Sequence, residues 1–191
     1  LFKKYQNKYS NFRVIDANYE FNYSKINKQA VEAAKGEYIV LLNNDTEIIT
    51  PHWLQVMVGY AMQPHIGAVG AKLLYPDNTV QHAGIILGIG GIAQHCFIDN
   101  PREDVGFYGR LSVPFNYSAV TAACLMVSKE KYLEVNGLEE DLQVAFNDVD
   151  FNLKLLKQGY YNICLNQVEL YHYESKSRGD DTVDTKSAKY R

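Results

Sequence analysis

The feature of this sequence that most limits its fold is a continuous apolar run, Tyr38–Leu42, which ends directly in Asn43-Asn44-Asp45. Because no polar residue alternates within the run, it predicts a strand buried on both faces, as in a sheet covered by helices on either side. Ligands of open α/β sheets bind beyond the carboxyl ends of the strands. The run therefore predicts a layered α/β structure with a functional edge at Asp45.

Strand-like and helix-like segments alternate along much of the chain. The further predicted strands are 13–15, 66–74, 119–127 and 161–165. The predicted helices begin at Ser24, at Thr50-Pro51, at Lys129 and shortly before Val149. This alternation favours an α/β domain with a mixed, mainly parallel sheet. Glycines and tyrosines accumulate without clear periodicity over 84–117, which predicts a long surface segment suited to binding substrates.

Composition excludes several classes of protein. Of the 191 residues, 47% are apolar and 21% are charged, which is ordinary for a globular domain and excludes a disordered chain. The formal net charge of −3 offers no surplus of basic residues for a phosphate backbone, so we expect no nucleic-acid partner. Glycines interrupt the longest apolar stretch, 83–93, which is too short to span a bilayer. Cys96, Cys124 and Cys164 form no disulfide or zinc pattern, which indicates a reducing compartment and predicts a cytoplasmic protein.

Two segments carry candidate ligands for a metal and a phosphate. Asp45 could hold a hard divalent cation together with phosphate oxygens, although Asn and Asp are also common where a strand simply ends in a turn. His172 could ligate a metal, with Ser177 and Arg178 gripping a phosphate, whereas a lone histidine is more often structural. Considered together, the segments describe a metal–diphosphate site.

Two aspartates, Asp148 and Asp150, stand at the start of a predicted helix. A carboxylate there is stabilised by capping and by the helix dipole, which accounts for one of the two. If Asp148 faces a cleft instead, it could accept a proton from a substrate hydroxyl as a general base. Both interpretations remain open from the local sequence.

These segments, in this order, resemble the family-2 glycosyltransferases of the GT-A fold. The resemblance is closest to bacterial enzymes, often described as rhamnosyltransferases, that build surface polysaccharides. It runs from about residue 13 to residue 179. The matching segments are FNYSKIN at 21–27, AKGEYI at 34–39, LNNDTE at 42–47, QHAG at 81–84, YSAVTAACLMV at 117–127, FNDVD at 146–150 and HYESKSRG at 172–179.

For the donor, the resemblance implies a nucleotide-diphospho-sugar, dTDP- or UDP-linked, bound through Mn²⁺ or Mg²⁺. Asp45 and His172 would coordinate the metal, and Asn43 stands where the family has the first acidic residue of its Asp-x-Asp motif. Three residues near the end of the chain would close over the diphosphate: Ser175, Ser177 and Arg178.

For the acceptor, the resemblance implies a saccharide or a lipid-linked saccharide. Asp148 falls at the position of the catalytic base, and Gln81 and His82 would face the acceptor. The implied reaction is inverting: the acceptor hydroxyl attacks the anomeric carbon from the face opposite the leaving diphosphate. The implied location is the cytoplasm, with peripheral association at the inner face of the cell membrane, and self-association as a homo-oligomer is a further expectation.

The resemblance begins after the family's first strands. Relatives open with a strand resembling Val-x-Ile-x-x-Tyr-Asn and a second strand, which together hold the base and the ribose. We therefore expect residues 1–179 to form a partial GT-A domain that lacks the first βαβ unit, followed by a flexible polar tail at 180–191. We also expect this chain by itself to be inactive as a transferase.

Two other functions are compatible with parts of this sequence. A chain without the base-binding strands could be a non-catalytic module that binds a saccharide or a protein partner, and a Val-x-Ile-x-x-Tyr-Asn strand encoded upstream would decide against it. A nucleotidyltransferase would need a glycine-rich phosphate loop with a nearby Lys or Arg, and the sequence has none. A sugar transferase is the function that accounts for most of the matching residues.

Overall fold

The computed structural model describes residues 2–89 and 91–173. Its helices are α1 (Phe2–Lys8), α2 (Tyr23–Ala33), α3 (Trp53–Ala61), α4 (Lys129–Glu134) and α5 (Asn147–Lys157), with a short 3₁₀ helix at Phe107–Gly109. Its strands are β1 (Tyr38–Leu42), β2 (Thr46–Ile48), β3 (Ile66–Leu74), β4 (Val80–His82), β5 (Ile85–Leu87), β6 (Ala93–His95), β7 (Phe115–Tyr117), β8 (Cys124–Ser128) and β9 (Tyr161–His172). The predicted tail, 180–191, lies outside the described residues.

Seven strands form one sheet in the order β1-β8-β3-β9-β2, with β4 paired to β3 and β7 paired to β9. The predicted α/β class with a mixed sheet is confirmed. The expected parallel majority is not found among the described strands: β3 and β9 are parallel, and the other pairs are antiparallel. A strand covered on both faces is a continuous apolar run in either direction, so the sequence pattern could not distinguish the two arrangements.

Helices cover both faces of this sheet. On one face, Val31 of α2 and Phe151 of α5 belong to a buried cluster with Leu41 of β1. On the other, Met57 of α3 packs in a second cluster with Val69 of β3. All nine residues of β3 are buried, which fits its central position. Burial on both faces is what the uninterrupted apolar runs predict.

Side-chain hydrogen bonds shift two predicted helix starts. Asn22, rather than Ser24, caps α2, because its side chain accepts a hydrogen bond from Lys25 N. Ser24 is fully buried and donates to Leu142 O instead. Helix α3 starts at Trp53, since the Thr50 hydroxyl accepts a hydrogen bond from Glu169 N at 2.9 Å and so holds β9 rather than capping the helix.

Three predicted strands differ from the structure. The short run 13–15 is not a strand, and Val14 and Ile15 are 38% and 41% exposed, because no described strand pairs with it. Strand β8 begins only at Cys124, five residues later than the run 119–127 predicted. Strand β9 instead continues to His172, where it pairs with β2 and brings the end of the described chain back to residues 45–48.

The segment predicted to be irregular contains a short antiparallel hairpin, β5–β6, among turns. Five glycines of the segment have positive φ angles: Gly84, Gly88, Gly91, Gly106 and Gly109. No helix within 2–89 or 91–173 has the length and apolar character needed to cross a bilayer.

Gly84 is a position where only glycine fits. Its φ is +106°, and a Cβ there would lie 2.3 Å from the ring of Tyr117. We expect Gly84→Ala to lower the free energy of unfolding by about 3 kcal/mol, from backbone strain together with overpacking. Urea unfolding monitored by circular dichroism measures the change.

Gly91→Ala is the matched control for this prediction. Gly91 has a similar φ of +113°, but nothing lies within 4 Å of its Cβ position. Its substitution isolates backbone strain, and we expect a loss of only about 1 kcal/mol. Equal losses in the two variants would show that the contact with Tyr117 contributes nothing.

Candidate metal and base site

Asp45 and His172 meet at the edge of the sheet. His172 is the last residue of β9 and pairs with Thr46 of β2, so the residue before Thr46 lies beside it. Asp45 Oδ1 is 3.3 Å from His172 Nε2. Asp45 Oδ1 is buried, and no donor in the described part of the chain forms a hydrogen bond with it. The structure thus brings together the two residues that the sequence proposed as metal ligands, 127 positions apart.

Gln81 of β4 fixes a hydrogen on Nδ1 of the His172 ring. Gln81 Oε1 lies 2.7 Å from His172 Nδ1, and Gln81 Nε2 donates to the His172 carbonyl at 3.4 Å. An amide oxygen can only accept, so Nδ1 carries the hydrogen. When the ring is neutral, Nε2 therefore carries a lone pair. It faces Asp45 Oδ1 and accepts from the Asn43 side-chain nitrogen at 3.2 Å.

A carboxylate oxygen and an imidazole lone pair at this separation need a cation between them. The cation is a proton on Nε2 or a metal ion. When two ligand atoms each lie about 2.1 Å from a metal ion and the ligand–metal–ligand angle is between about 90° and 109°, the two ligand atoms are about 3.0–3.5 Å apart. The observed 3.3 Å falls inside that range. The residues present therefore fit a divalent ion.

The protein would fill only part of the coordination shell of such an ion. Among residues 2–89 and 91–173, no group of three or more His, Cys, Asp or Glu side chains could hold a metal. Mn²⁺ and Mg²⁺ are commonly held by one or two protein ligands, with phosphate oxygens and water completing the shell. The pair Asp45–His172 is thus suited to a metal that arrives with a phosphorylated ligand.

The two aspartates at the start of α5 face different partners. Asp150 forms an ion pair with Lys154, one turn further along the helix, at 2.7 Å. Asp148 instead accepts hydrogen bonds from Ala122 N at 3.2 Å and from Val149 N at 2.8 Å. Both donors are neutral backbone groups, no ion pair of Asp148 is found among the described residues, and its side chain is half-buried.

One backbone segment, Thr121–Ala123, joins these side chains. Ala122 N donates to Asp148, and Ala123 O accepts from Asn43 N at 2.9 Å. Thr121 N lies 3.4 Å from His82 Nε2. The segment directly before β8 therefore sets the position of Asp148 relative to residues 43–45.

Gln81 and His82 were expected to face the acceptor, but both side chains are too deeply buried in the structure to contact an acceptor directly. Gln81 is 3% exposed and His82 is fully buried. His82 Nε2 accepts from Gly84 N and Thr121 N, so the side chain holds backbone rather than ligand. Burial, followed by the charges of His95 and His172, keeps the pKa of His82 well below its usual value, and the ring is neutral. The family resemblance suggested an acceptor contact for this pair, whereas in the structure both side chains are hydrogen-bond partners inside the fold.

Sequence reasoning missed two buried asparagines that hold the backbone at Ser118 and Val120, directly before the Thr121–Ala123 segment. Asn152 of α5 accepts from Val120 N, and its side-chain nitrogen donates to Val120 O and Asp148 O. Asn162 donates to Ser118 O and Asn152 O. An asparagine three residues from Val149 and from Leu155, on the buried face of a helix, was the available signal.

Only some of the residues expected to contact the donor are among the described residues. The Asn43 side-chain nitrogen lies 3.2 Å from His172 Nε2, and its contact with the donor stays a prediction. Ser175, Ser177 and Arg178 lie outside the described residues, and their roles stay predictions.

The Glycosyl transferase family 2 model matches residues 1–130, so the chain belongs to this family. Among curated relatives, it is 48% identical to the uncharacterized protein y4gI of Sinorhizobium fredii, over 90% of this chain and 19% of that protein. It is 41% identical to the O-antigen biosynthesis protein RfbC of Myxococcus xanthus, over 85% of this chain and 13% of that protein. The chain therefore spans less than a fifth of the length of either relative.

Two solved structures share the fold at low sequence identity. GalNAc-T7, crystallised with UDP, GalNAc and Mn²⁺, superposes with a TM-score of 0.70 at 13% identity, over 90% of this chain and 34% of that one. The mannosyltransferase PcManGT of Pyrobaculum calidifontis, in complex with GDP-Man and Mn²⁺, gives a TM-score of 0.63 at 16% identity, over 93% and 44%. The predicted GT-A fold is thereby confirmed.

Asn152 provides a test of how the Thr121–Ala123 segment is held. We expect Asn152→Ala to lower the free energy of unfolding by about 3 kcal/mol, because it strands buried backbone groups of Val120 and leaves a small cavity. Chemical unfolding measures the loss. Lys157→Ala, on the exposed side of the same helix, is the control and should change stability by no more than about 0.5 kcal/mol. Similar values for both variants would contradict a role for Asn152 in holding this segment.

Proposed function

We propose that the protein carrying this chain is an inverting glycosyltransferase that moves a sugar from a nucleotide-diphosphate donor to a saccharide acceptor in cell-surface polysaccharide synthesis. The observation that carries the proposal is the Asp45–His172 pair, 3.3 Å apart, in which Asp45 Oδ1 is buried and accepts no hydrogen bond from the described residues. Family membership supports the reaction class. The O-antigen biosynthesis relative supports the polysaccharide context. The solved neighbours hold UDP or GDP-Man with Mn²⁺, which supports a nucleotide-sugar donor and a divalent ion.

Asp45 and His172 would hold the metal, and Gln81 would keep His172 Nε2 available to it. When bound by these residues, a divalent ion would supply positive charge to offset the negative charge of the nucleoside diphosphate leaving group. Asn43 adds hydrogen-bonding capacity without a second negative charge. The predicted contacts of Ser175, Ser177 and Arg178 with the diphosphate belong to the same proposal.

Asp148 would act as the general base. Its carboxylate is oriented by Ala122 N and Val149 N, and Asp150 is held away from it by Lys154. The carboxylate takes the proton of the acceptor hydroxyl as that oxygen forms a bond to the anomeric carbon. The bond from that carbon to the diphosphate breaks on the opposite face, so the configuration inverts.

The metal pair is tested by titrating Mn²⁺ into this chain in the presence of UDP and, separately, GDP, followed by calorimetry. We expect Asp45→Asn and His172→Gln each to weaken Mn²⁺ binding at least tenfold, since each removes a direct ligand. Gln81→Leu should weaken it by about 10–100-fold, as is typical when the partner of a ligating histidine is lost. His65→Gln, an exposed histidine remote from the pair, is the control. If His172→Gln and His65→Gln bind alike, His172 is structural.

The base is tested by Asp148→Asn, which keeps the side-chain volume and removes the proton acceptor. Nucleoside diphosphate release is assayed with a panel of UDP-, GDP- and dTDP-sugars, in the natural protein of which this chain is the whole or a part. We expect the transfer rate to fall by about 10²–10⁴. Mn²⁺–nucleotide binding should stay unchanged. Asp150→Asn is the matched control, and a mutant Asp148→Asn that retains more than a tenth of the rate is incompatible with this role.

A further inference from the structure

A cavity of about 460 Å³ opens beside the site, between the β5–β6 hairpin and residues 96–100. Sites for small ligands in proteins commonly measure about 300–1,000 Å³. Most of its wall is apolar and includes Ile86, Phe97 and Ile98. Side chains of this kind pack against the carbon-bound hydrogens on one face of a sugar ring. The cavity therefore has the size and wall chemistry for a hexose unit.

Two polar groups in the wall of the cavity indicate that it binds a ligand. Tyr117 is 7% exposed, and its hydroxyl has no hydrogen-bond partner among the described residues. Burial raises the pKa of Tyr117 well above its usual value, so the group is an O–H donor in need of an acceptor. The guanidinium of Arg110 lies 4.4 Å from the centre of the Phe115 ring and forms no ion pair within the described chain. A hydroxyl and a cation in one largely apolar wall, both without a hydrogen-bond or ion-pair partner among the described residues, match a ligand with an anionic group.

The basic residues nearest in the same part of the fold, Arg102 and Lys72, differ from Arg110 because both have a carboxylate partner. Arg102 donates to Glu169 through two nitrogens, at 3.0 and 2.8 Å, and Lys72 binds the other oxygen of the same carboxylate at 2.6 Å. These contacts fasten the segment that carries the cavity wall to β3 and β9. The wall is thus anchored by basic residues that are already paired, while Arg110 remains available.

Residues 81–84 connect this cavity to the metal and base site. His95, in the cavity wall, has Nδ1 3.2 Å from Gln81 O, and its ring packs against His82 at 4.7 Å between centroids. Gly84 lies against the ring of Tyr117. Gln81 in turn holds His172. The cavity wall is therefore linked to His172 through the contacts of His95 and Gln81.

We propose that this cavity is an acceptor subsite that binds a hexose unit carrying one anionic group, a carboxylate or a phosphate. Arg110 pairs with the anion, Tyr117 donates to a ligand oxygen, and the apolar wall covers one face of the ring. The assignment of this hexose to the acceptor rests on the proposed transferase function.

The test is an NMR titration of the 191-residue chain, without metal, with three matched probes and inorganic phosphate. The probes are methyl glucuronide, glucose 1-phosphate and methyl glucoside. We expect at least one anionic sugar to bind five- to tenfold more tightly than methyl glucoside, with shifts at Gly84, His95 and Arg110. The stronger of the two anionic sugars identifies the anion. Inorganic phosphate should bind more weakly than glucose 1-phosphate, because it cannot use the apolar wall.

Variants assign the contacts. Arg110→Gln should reduce the affinity of the anionic sugar to that of methyl glucoside, while Tyr117→Phe should weaken all three sugars. Lys157→Gln, which removes an exposed cation on α5, is the control and should change nothing. Equal binding of neutral and anionic sugars, phosphate binding as strong as that of the sugar phosphate, or shifts confined to residues around Asp45 would overturn the proposal.

Mn²⁺ and UDP titrated into the same samples separate this inference from the transferase function. Nucleotide binding without sugar binding removes the subsite and leaves the transferase proposal standing. Sugar binding by this chain, together with no nucleoside diphosphate release by the natural protein from any sugar nucleotide of the panel, removes the transferase proposal and leaves a saccharide-binding cavity.

Discussion

The hydrogen bonds made by the backbone of Thr121–Ala123 link three of the candidate residues: Asn43, His82 and Asp148. The segment lies directly before β8, where its N–H and C=O groups are not used in strand pairing. They are used instead by His82, Asp148 and Asn43. Because a buried backbone group without a partner is destabilising by about 1–3 kcal/mol, each of these contacts strongly restricts the path of the chain. Asp148 and the 43–45 turn are therefore held by the same short piece of backbone.

This arrangement explains why an apolar sequence does not continue as a strand. Residues 119–123 have the composition of the strand that follows them. However, Asn152 satisfies both the N–H and the C=O of Val120, and His82 satisfies Thr121 N. Side chains from α5 and β4 thus replace the neighbouring strand as hydrogen-bond partners. The strand begins at Cys124, the first residue that pairs with β1.

Much of the fold follows from local sequence, and part of the site does not. The strands Tyr38–Leu42 and Ile66–Leu74 and the helix around Val149 are predicted because apolar periodicity records which faces are buried. The meeting of Asp45 with His172 came from family resemblance, since nothing local links residues so distant in the chain. The burial of Gln81 and His82 could not be predicted, because residue type alone does not distinguish a polar side chain with a buried hydrogen-bond partner from one at the surface. The relative direction of the strands was predicted wrongly for a related reason, since the burial pattern of a strand is the same in a parallel and an antiparallel pair.

Strand β4 shows how three buried residues can serve two regions at once. Successive side chains of a strand point to opposite faces. The Gln81 side chain therefore reaches His172, while His82, its neighbour, reaches Thr121 and Gly84. The carbonyl of Gln81 remains for His95 in the cavity wall. Because the strand is fully buried and fastened on both faces, it cannot shift toward the cavity without lengthening the Gln81–His172 contact. The hydrogen on His172 Nδ1, and with it the lone pair that faces Asp45, thus depends on a strand that also contacts Thr121 and the cavity residue His95.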